Sequence, residues 1–419
     1  MQPLAGRRLW LVGIGGAGMS ALALVCKAWG AEVGGSDRSR TPYLDLLERD
    51  GIHVVVGHDA GNVPTDAEVV VSSAIRPDNP EVTAAGDAVK HRGELLAELV
   101  ALRPSIVVAG AHGKTTTAAM VAFVLDRLGL DPTFLIGGNV PQLGGNGRAG
   151  SGWLVAEGDE SDRSLLLLRP QIAVVTNVEL DHHATFASQA EVEALFAQWL
   201  ASLPAGATVI RGEGMEPPPG LELEVPGEHN RLDAGCALAA LAAAGVAREA
   251  AAAELREFRG VGRRFQPVGE AGGVRVVDDY AHHPTEVAAT LAAARERAVD
   301  GRVIALFQPH LYSRTLYLQR ELAVALSNAD GVCLTEIYAA REERLPDVTG
   351  KLVVDRLVEV RPGMTAGWAP ALEDAARLVA AAARPGDTVL TIGAGDVDRA
   401  GPLILEQLAA RLESKRVRS

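Results

Sequence analysis

One short stretch, SIVVAGAHGKTTT at residues 105–117, restricts the possible folds more than any other. Residues 105–109 form a β-branched run that predicts a buried strand, and residues 115–128 form an apolar-rich run without Gly or Pro that predicts a helix. A strand, a glycine turn and a helix N-terminus in succession place free backbone N–H groups around an anion. The stretch therefore predicts a phosphate site in a sheet whose strands alternate with helices.

This loop is shorter than the ordinary phosphate loop, because Gly110 lies three residues before Gly113 where Gly-x-x-x-x-Gly-Lys-Ser/Thr requires five. Its residue types still suit ATP: Lys114 is expected at the β- and γ-phosphates and the Thr115 hydroxyl on Mg²⁺. A plain glycine turn with a solvated lysine is the alternative, which the strand-to-helix context disfavours. The other residues of this loop that are candidates for ATP binding are Gly110, Ala111, His112, Gly113 and Thr116.

Composition limits the kind of protein. With 419 residues, 48% of them hydrophobic, the chain is too long for a single core and predicts two or three globular domains. A net charge of −13 argues against nucleic acid as the main partner, because nucleic acid requires a basic face. No apolar run approaches the roughly 18 residues of a membrane span, and the first residues do not resemble a signal peptide, so we expect a cytoplasmic protein without membrane insertion. The widely spaced Cys26, Cys236 and Cys333 are expected to be buried thiols.

Short Val/Ile strands alternate with Ala/Leu helices in three consecutive blocks, which predicts an α/β fold with parallel sheets. We place the domain boundaries at 1–103, 104–262 and 263–419. Outside the phosphate loop, strands are predicted near 10–13, 32–35, 52–56, 68–72, 153–157, 172–176, 274–278, 303–307, 331–334 and 388–392, with helices at 93–102 and 233–258 and a surface loop at 212–220.

A second glycine motif opens the first block. In VGIGGAGMS, Gly13, Gly15 and Gly18 satisfy Gly-x-Gly-x-x-Gly after a predicted strand, and the next strand ends at Asp37. The pattern is typical of nicotinamide dinucleotide sites, but any diphosphate at a helix N-terminus requires the same glycines. A UDP-sugar therefore fits this motif as well as NAD does.

Polar side chains follow two strands of the second block, in VAEGDESD at 155–162 and TNVELDHH at 176–183. Because the carboxyl ends of parallel strands share one crevice with the phosphate loop, Glu157 and His182 are predicted to reach a metal held by Thr115. Hydroxyl, carboxylate and imidazole, completed by phosphates, suit Mg²⁺ or Mn²⁺. A solvated acidic loop and a structural histidine are the alternatives.

The third block carries DDYAHHPTE at 278–286 and FQPHLYSRT at 307–315, each after a predicted strand. Polar loops at strand ends often carry function, although solvated loops with helix caps remain the alternative.

Together these motifs resemble the ATP-dependent Mur ligases, and among them the alanine-adding members. The similarity extends over residues 8–400 and includes GIGGAGMS, VVVSSAI, DNPE, GAHGKTTT, ESD, VVTN, HN at 229–230, RRFQ, DDYAHHPTEV and GAGD. The resemblance implies three domains: a Rossmann-like UDP-sugar domain, a central ATPase-like domain with a mainly parallel sheet, and a Rossmann-like C-terminal domain that closes over ATP and the amino acid.

The implied reaction joins L-alanine to the lactyl carboxylate of UDP-N-acetylmuramate through an acyl phosphate, giving ADP and phosphate in a cytoplasmic step of peptidoglycan precursor synthesis. The resemblance assigns magnesium to Thr115, Glu157 and His182, and the UDP end to Gly15, Gly16, Gly18, Asp37, Ser72 and Ser73. It also assigns the ATP phosphates to Lys114 and Arg264, the ribose to Asp279, the adenine to His229 and Asp233, and the amino-acid acceptor to Tyr280, His282 and Arg314. Closure of the third domain over the second before chemistry is expected.

Some positions depart from the family pattern. Asp233 stands for an asparagine, Leu311 for an arginine and Ala184 for an acidic residue, and Arg341 is hypothesised to restore the charge lost at Leu311. A degenerate member that binds UDP-sugar and ATP without turnover is therefore an alternative. A nicotinamide oxidoreductase is another, but it leaves GAHGKTTT unexplained. The sequence does not indicate an oligomeric state.

Overall fold

A computed structural model of the chain describes residues 2–182, 185–298, 301–340 and 342–418. The chain divides into two compact units. The first unit comprises Met1–Leu180, Ser188–Leu223 and Arg231–Val261, and the second comprises Asp181–Ala187, Glu224–Asn230 and Gly262–Ser419. None of the helices in the described ranges is both long and apolar enough to cross a membrane.

The N-terminal sheet of the first unit has five strands, all parallel, in the order β3-β2-β1-β4-β5. Its strands are β1 Arg8–Val12, β2 Glu32–Asp37, β3 His53–Val56, β4 Glu68–Val71 and β5 Val89–His91. Its helices are α1 Ala17–Ala28, α2 Pro42–Arg49, α3 Pro80–Ala85 and α4 Arg92–Ala101. Because the chain reverses direction across the sheet between β1 and β4, the carboxyl ends of these two strands open a crevice where ligands bind in such folds.

The central sheet has six strands in the order β11-β10-β6-β9-β7-β8, parallel except for the β7–β8 pair. Its strands are β6 Ser105–Ala109, β7 Thr133–Val140, β8 Gly145–Arg148, β9 Leu154–Glu157, β10 Ile172–Val175 and β11 Thr208–Arg211. The helices of this part of the chain are α5 Lys114–Arg127, α6 Gln189–Ala201, α7 Glu228–Ala243 and α8 Arg248–Leu255. Strand β6 is buried throughout and lies between β9 and β10. The carboxyl ends of these three parallel strands are therefore neighbours.

The sheet of the second unit also has six strands, in the order β12-β13-β17-β14-β15-β16, and only β12 runs antiparallel. Its strands are β12 Gln266–Ala271, β13 Val274–Asp279, β14 Val303–Phe307, β15 Gly331–Leu334, β16 Thr365–Trp368 and β17 Thr388–Ile392. Its helices are α9 Pro284–Arg297, α10 Tyr312–Leu326, α11 Lys351–Val360, α12 Leu372–Ala382 and α13 Ala400–Arg418. Apolar clusters cover this sheet and are built from its strands and the helices packed on them.

The predicted α/β class with mainly parallel sheets is confirmed, and the three cysteines are buried as expected. The prediction of one helix over 233–258 was wrong. The structure has α7 and α8 instead, because Gly245 adopts a left-handed φ of +87° between them and ends the first helix. Residues 212–220 form the predicted loop of turns and irregular backbone. The domain boundaries stay predictions.

Candidate active site

The loop between β6 and α5 depends on two glycines. Gly110 and Gly113 both have positive φ, +135° and +78°. A Cβ on Gly110 would lie 3.0 Å from the backbone nitrogen of Asn177, and one on Gly113 would collide with the carboxylate of Asp233. Glycine is therefore required at both positions for backbone conformation and for space.

Asn177, which follows β10, fixes the path of this loop. The backbone N–H of His112 donates to Asn177 Oδ1 at 2.9 Å, and Asn177 Nδ2 donates back to the His112 carbonyl at 2.9 Å. The Ala111 N–H bonds the Asn177 carbonyl at 3.3 Å. The VVTN motif thus holds the phosphate loop in shape, a role that the sequence did not reveal.

Lys114 begins α5 and is paired with Glu160. Its Nζ lies 3.1 Å from Glu160 Oε1 and also donates to the Gly110 carbonyl. Burial raises the pKa of Glu160 to about 7, although Lys114 lowers it. Burial opposes the charge on Lys114, but Glu160 and Asp159 raise the pKa of the lysine, so it is positively charged at neutral pH.

Thr115 and Glu157 lie together beside this lysine. The Thr115 hydroxyl donates to Glu157 Oε2 at 3.0 Å, and the Gly137 N–H donates to Oε1. A hydroxyl and a carboxylate next to a phosphate loop are hard oxygen donors, and they fit a divalent cation such as Mg²⁺. His182, the third predicted ligand, belongs to the second unit, where its Nε2 lies 3.6 Å from Asp181 Oδ2.

Gly137 offers a test of how this carboxylate is held. It lies where the register of β7 shifts, between Leu135 and Val140, and a Cβ there would lie 3.1 Å from both Glu157 oxygens. Gly137→Ala is therefore expected to move the carboxylate and raise the Mg²⁺ concentration for half-maximal activity about tenfold. Gly145→Ala on the same hairpin is the control, since its Cβ would meet Leu46 at an ordinary 3.7 Å.

The Mg²⁺ dependence of phosphate release and the binding of Mn²⁺ by electron paramagnetic resonance measure the effect of this substitution. Equal Mn²⁺ affinity in Gly137→Ala and in the control Gly145→Ala would show that Gly137 does not position Glu157.

The glycine loop after β1 is tied to the end of β2. The Gly15 N–H donates to Asp37 Oδ2 at 3.0 Å, and the Thr41 hydroxyl donates to the Gly15 carbonyl at 3.0 Å. Gly16 then caps α1. Asp37, predicted to bind the UDP end, therefore also holds the loop that carries the predicted diphosphate site.

The predicted UDP-binding serines follow β4. Ser72 accepts a hydrogen bond from the Ala74 N–H at 3.2 Å, and a Cβ on Gly13 would lie 3.1 Å from its hydroxyl. Ser73 donates to Asp162 Oδ2 at 2.5 Å and accepts from Arg92 Nε at 3.1 Å. The structure thus brings the glycine loop, both serines and the ESD motif into one region of the first unit.

In the second unit, Tyr280 and His282 follow β13. His282 Nδ1 lies 2.9 Å from the Tyr280 carbonyl, which can only accept, so Nδ1 carries the proton and Nε2 keeps a lone pair. Burial lowers the pKa of His282 to about 4, and the ring is neutral at pH 7. His282 can accordingly accept a hydrogen bond or a proton at Nε2.

Arg314, predicted to bind the carboxylate of the acceptor, is almost wholly buried and paired with Asp181. Its Nε and Nη2 lie 2.8 and 2.7 Å from Asp181 Oδ1, and Nη1 donates to His310 Nδ1 at 2.9 Å. Burial opposes ionisation of Asp181, but Arg314 holds the pKa of this carboxyl well below its usual range. The guanidinium is therefore firmly held by Asp181. Its role towards the acceptor stays a prediction.

Arg264 lies between two residues of left-handed backbone, Arg263 at φ +60° and Phe265 at φ +49°. Asp279 holds this segment, since it accepts from the Phe265 N–H at 2.8 Å and from the Ala281 N–H at 2.8 Å. The Arg264 guanidinium lies over the Tyr280 ring, 5.2 Å from its centre. Asp279, predicted at the ribose, is thus a buried anchor of the segment that carries Arg264.

The adenine prediction concerns His229 and Asp233. His229 lies at the start of α7 against Gly227, and both residues belong to the second unit. Asp233 lies further along α7, belongs to the first unit and is next to Gly113. Leu311 is buried at the start of α10 with φ +69°. Ala184 and Arg341 lie outside the described residues, so the charge compensation at Leu311 stays a hypothesis.

A charged lysine in a phosphate loop, an oxygen-donor pair beside it and a second nucleotide-type loop in the same unit fit an enzyme that uses ATP and binds a second phosphate-bearing ligand. Models of known protein families match three consecutive parts of the chain. The Mur ligase family catalytic domain matches residues 9–103, the Mur ligase middle domain 108–215, and the Mur ligase glutamate ligase domain 263–395. The chain belongs to the Mur ligase family, whose chemistry implies ATP and a divalent cation.

Individual relatives are similar over nearly their whole length. A UDP-N-acetylmuramate–L-alanine ligase of Paenarthrobacter aurescens is 44% identical and aligns over 96% of this chain and 97% of its own. The ligase of the same name from Desulforamulus reducens is 41% identical, with 98% of each chain covered. The crystal structure of the Thermotoga maritima UDP-N-acetylmuramate–alanine ligase has a TM-score of 0.82 at 28% identity and covers 97% of this chain and 99% of its own. The resemblance and the three-domain α/β fold are confirmed.

Proposed function

We propose that this chain joins L-alanine to the lactyl carboxylate of UDP-N-acetylmuramate, with ATP converted to ADP and phosphate, in a cytoplasmic step of peptidoglycan precursor synthesis. One observation carries the proposal: the first unit contains both the Gly15–Gly18 loop and the Lys114 loop, each at the carboxyl edge of its own parallel sheet. Two phosphate-binding loops in one unit fit a nucleotide sugar and ATP. The names of relatives 41–44% identical support the same substrates.

The first step activates the carboxylate, which is a poor acyl donor. The lactyl carboxylate oxygen attacks the γ-phosphorus of ATP, ADP leaves, and an acyl phosphate forms. Lys114 neutralises negative charge on the transferred phosphoryl group, and the loop N–H groups hold the remaining phosphates. Thr115 and Glu157, with His182, would hold Mg²⁺, and a bound cation supplies further charge neutralisation to this step.

The second step forms the amide. The alanine amine attacks the acyl carbon, and the tetrahedral intermediate expels phosphate. Neutral His282 offers the Nε2 lone pair to a proton of the attacking amine, and Tyr280 and Arg314 complete the acceptor side. Arg264 is assigned to the ATP phosphates, Asp279 to the ribose, and His229 with Asp233 to the adenine.

The alternative of a family member that binds without turnover rests on Leu311, Asp233 and Ala184. The intact arrangement of Lys114 and of the Thr115–Glu157 pair favours turnover instead. A nicotinamide oxidoreductase would not use the Lys114 loop, and none of the relatives reported above supports this alternative.

Phosphate release tests the function. The protein is incubated with ATP, Mg²⁺ and UDP-N-acetylmuramate, with and without L-alanine, glycine or L-serine. We expect release that requires both UDP-N-acetylmuramate and an amino acid and that is fastest with L-alanine. Binding of nucleotide without turnover for any amino acid would contradict the proposal and favour the binding-protein alternative.

A further inference from the structure

Arg92 lies beside the N-terminus of α1, although nothing in the motifs pointed to it. It follows β5 of the N-terminal sheet and is the first residue of α4. A Cβ built on Gly18 would lie 3.3 Å from Arg92 Nη1, so this nitrogen lies against the first turn of α1. That turn, with its free backbone N–H groups, follows the glycine loop proposed for the diphosphate.

The other nitrogens of the Arg92 guanidinium are already engaged. Nε donates to the Ser73 hydroxyl at 3.1 Å, and Nη2 donates to Asp162 at 2.9 Å and also to Asp159. Within the described residues Nη1 has no hydrogen-bond acceptor in the protein. The Nε and Nη2 edge of the planar fork is therefore fixed by Ser73 and the two aspartates, and Nη1 lies against the first turn of α1.

The surroundings make Arg92 more than a surface ion pair. Its side chain is only 20% exposed, and that of Asp162 only 13%. Asp162 is itself fixed by the Ser73 hydroxyl at 2.5 Å and by the Ser164 N–H at 3.0 Å. A guanidinium held this rigidly loses little further entropy when it binds a phosphate, which is the ligand that its planar donors match.

We infer that Arg92 binds the diphosphate of the nucleotide-sugar substrate against the first turn of α1, with Asp159 and Asp162 as positioning residues that orient its guanidinium. This inference rests on the proposed function, because it requires a uridine diphosphate at the Gly15–Gly18 loop. The carboxylates at the end of β9 and in the loop after it then have two tasks, since Glu157 is predicted to bind the metal while Asp159 and Asp162 orient the first residue of α4.

The test compares UDP with uridine, which lacks both phosphates. Affinities are measured by ligand-observed NMR for wild type and for Arg92→Met, which keeps the apolar stem. We expect UDP affinity to fall about 10- to 100-fold, the effect of one or two hydrogen bonds to a charged group, and uridine affinity to change less than about threefold. Arg8→Met is the matched control, because Arg8 pairs with Glu32 and Asp66 at the amino end of β1.

Asp162→Asn guards against a folding artefact. This variant keeps the size of the side chain but weakens the hydrogen bond to Arg92 Nη2. We expect a smaller loss of affinity than in Arg92→Met, again for UDP and not for uridine. Equal losses of UDP and uridine affinity in Arg92→Met, or no loss at all, would overturn the inference. Failure of the wild-type protein to bind UDP would overturn the proposed function itself, and the inference with it.

Discussion

Lys114→Met is expected to lower the rate of phosphate release about 1000-fold, because it removes the positive charge that we propose stabilises the transferred phosphoryl group. In the structure this charge is secured by Glu160 3.1 Å away and lies at the N-terminus of α5. Single-turnover measurement of phosphate with saturating ATP and UDP-N-acetylmuramate reports the chemical step directly.

Lys351→Met is the control for this variant, since Lys351 forms an exposed pair with Asp355 on α11 and should leave the rate unchanged. A Lys114→Met protein with the fold of wild type and more than about a tenth of its rate would show that the β6–α5 loop is not the catalytic phosphate site.

Arg314→Met is expected to lower the free energy of unfolding by about 3–5 kcal/mol, because it leaves the ionised Asp181 buried without its partner. Both side chains are about 95% buried, at 4% and 5% exposure. Alanine-dependent turnover should also be lost if Arg314 completes the acceptor side as proposed. Chemical denaturation measures the first effect, and phosphate release over a range of L-alanine concentrations measures the second.

The double variant Arg314→Met with Asp181→Asn separates these two roles. Removal of the buried charge should recover most of the stability, whereas turnover should stay low. Arg356→Met on the exposed face of α11 should change stability by less than about 0.5 kcal/mol. Full recovery of turnover in the double variant would show that Arg314 acts only in the fold.

The sequence predicted those parts of the site that are formed by residues adjacent in the chain. The strand at 105–109, the glycines at 110 and 113, and the lysine at 114 are adjacent in the chain, so residue type and spacing define them. The strands at 303–307, 331–334 and 388–392 were predicted to the residue, because buried parallel strands are short, continuous apolar runs.

Contacts between distant residues were not predictable in the same way. Asn177 bonds His112 across 65 residues, and Arg92 bonds Asp162 across 70. Each depends on which strand ends the fold makes neighbours, and no local pattern encodes that. The sequence did place Glu157 near Thr115, since both lie at the carboxyl ends of strands of one parallel sheet, but it could not show that the Gly137 amide holds the other oxygen.

Local propensity also misled for one long helix and for several short strands. The Ala-rich run at 233–258 favours helix at nearly every position, yet Gly245 interrupts it. Strands β7 and β8 escaped prediction because GGN and GGNG weaken the strand signal, although a glycine pair within a strand is itself typical of a bulge.

The most direct test of ATP-driven carboxylate activation is to follow the carboxylate oxygen. UDP-N-acetylmuramate labelled with ¹⁸O in its lactyl carboxylate is incubated with the protein, ATP, Mg²⁺ and L-alanine, and mass spectrometry is applied to the phosphate and the nucleotide product. The account predicts UDP-N-acetylmuramoyl-L-alanine together with one ¹⁸O atom in each phosphate released, as an acyl phosphate intermediate requires. Unlabelled phosphate, or ATP cleavage without the amide product, would contradict it.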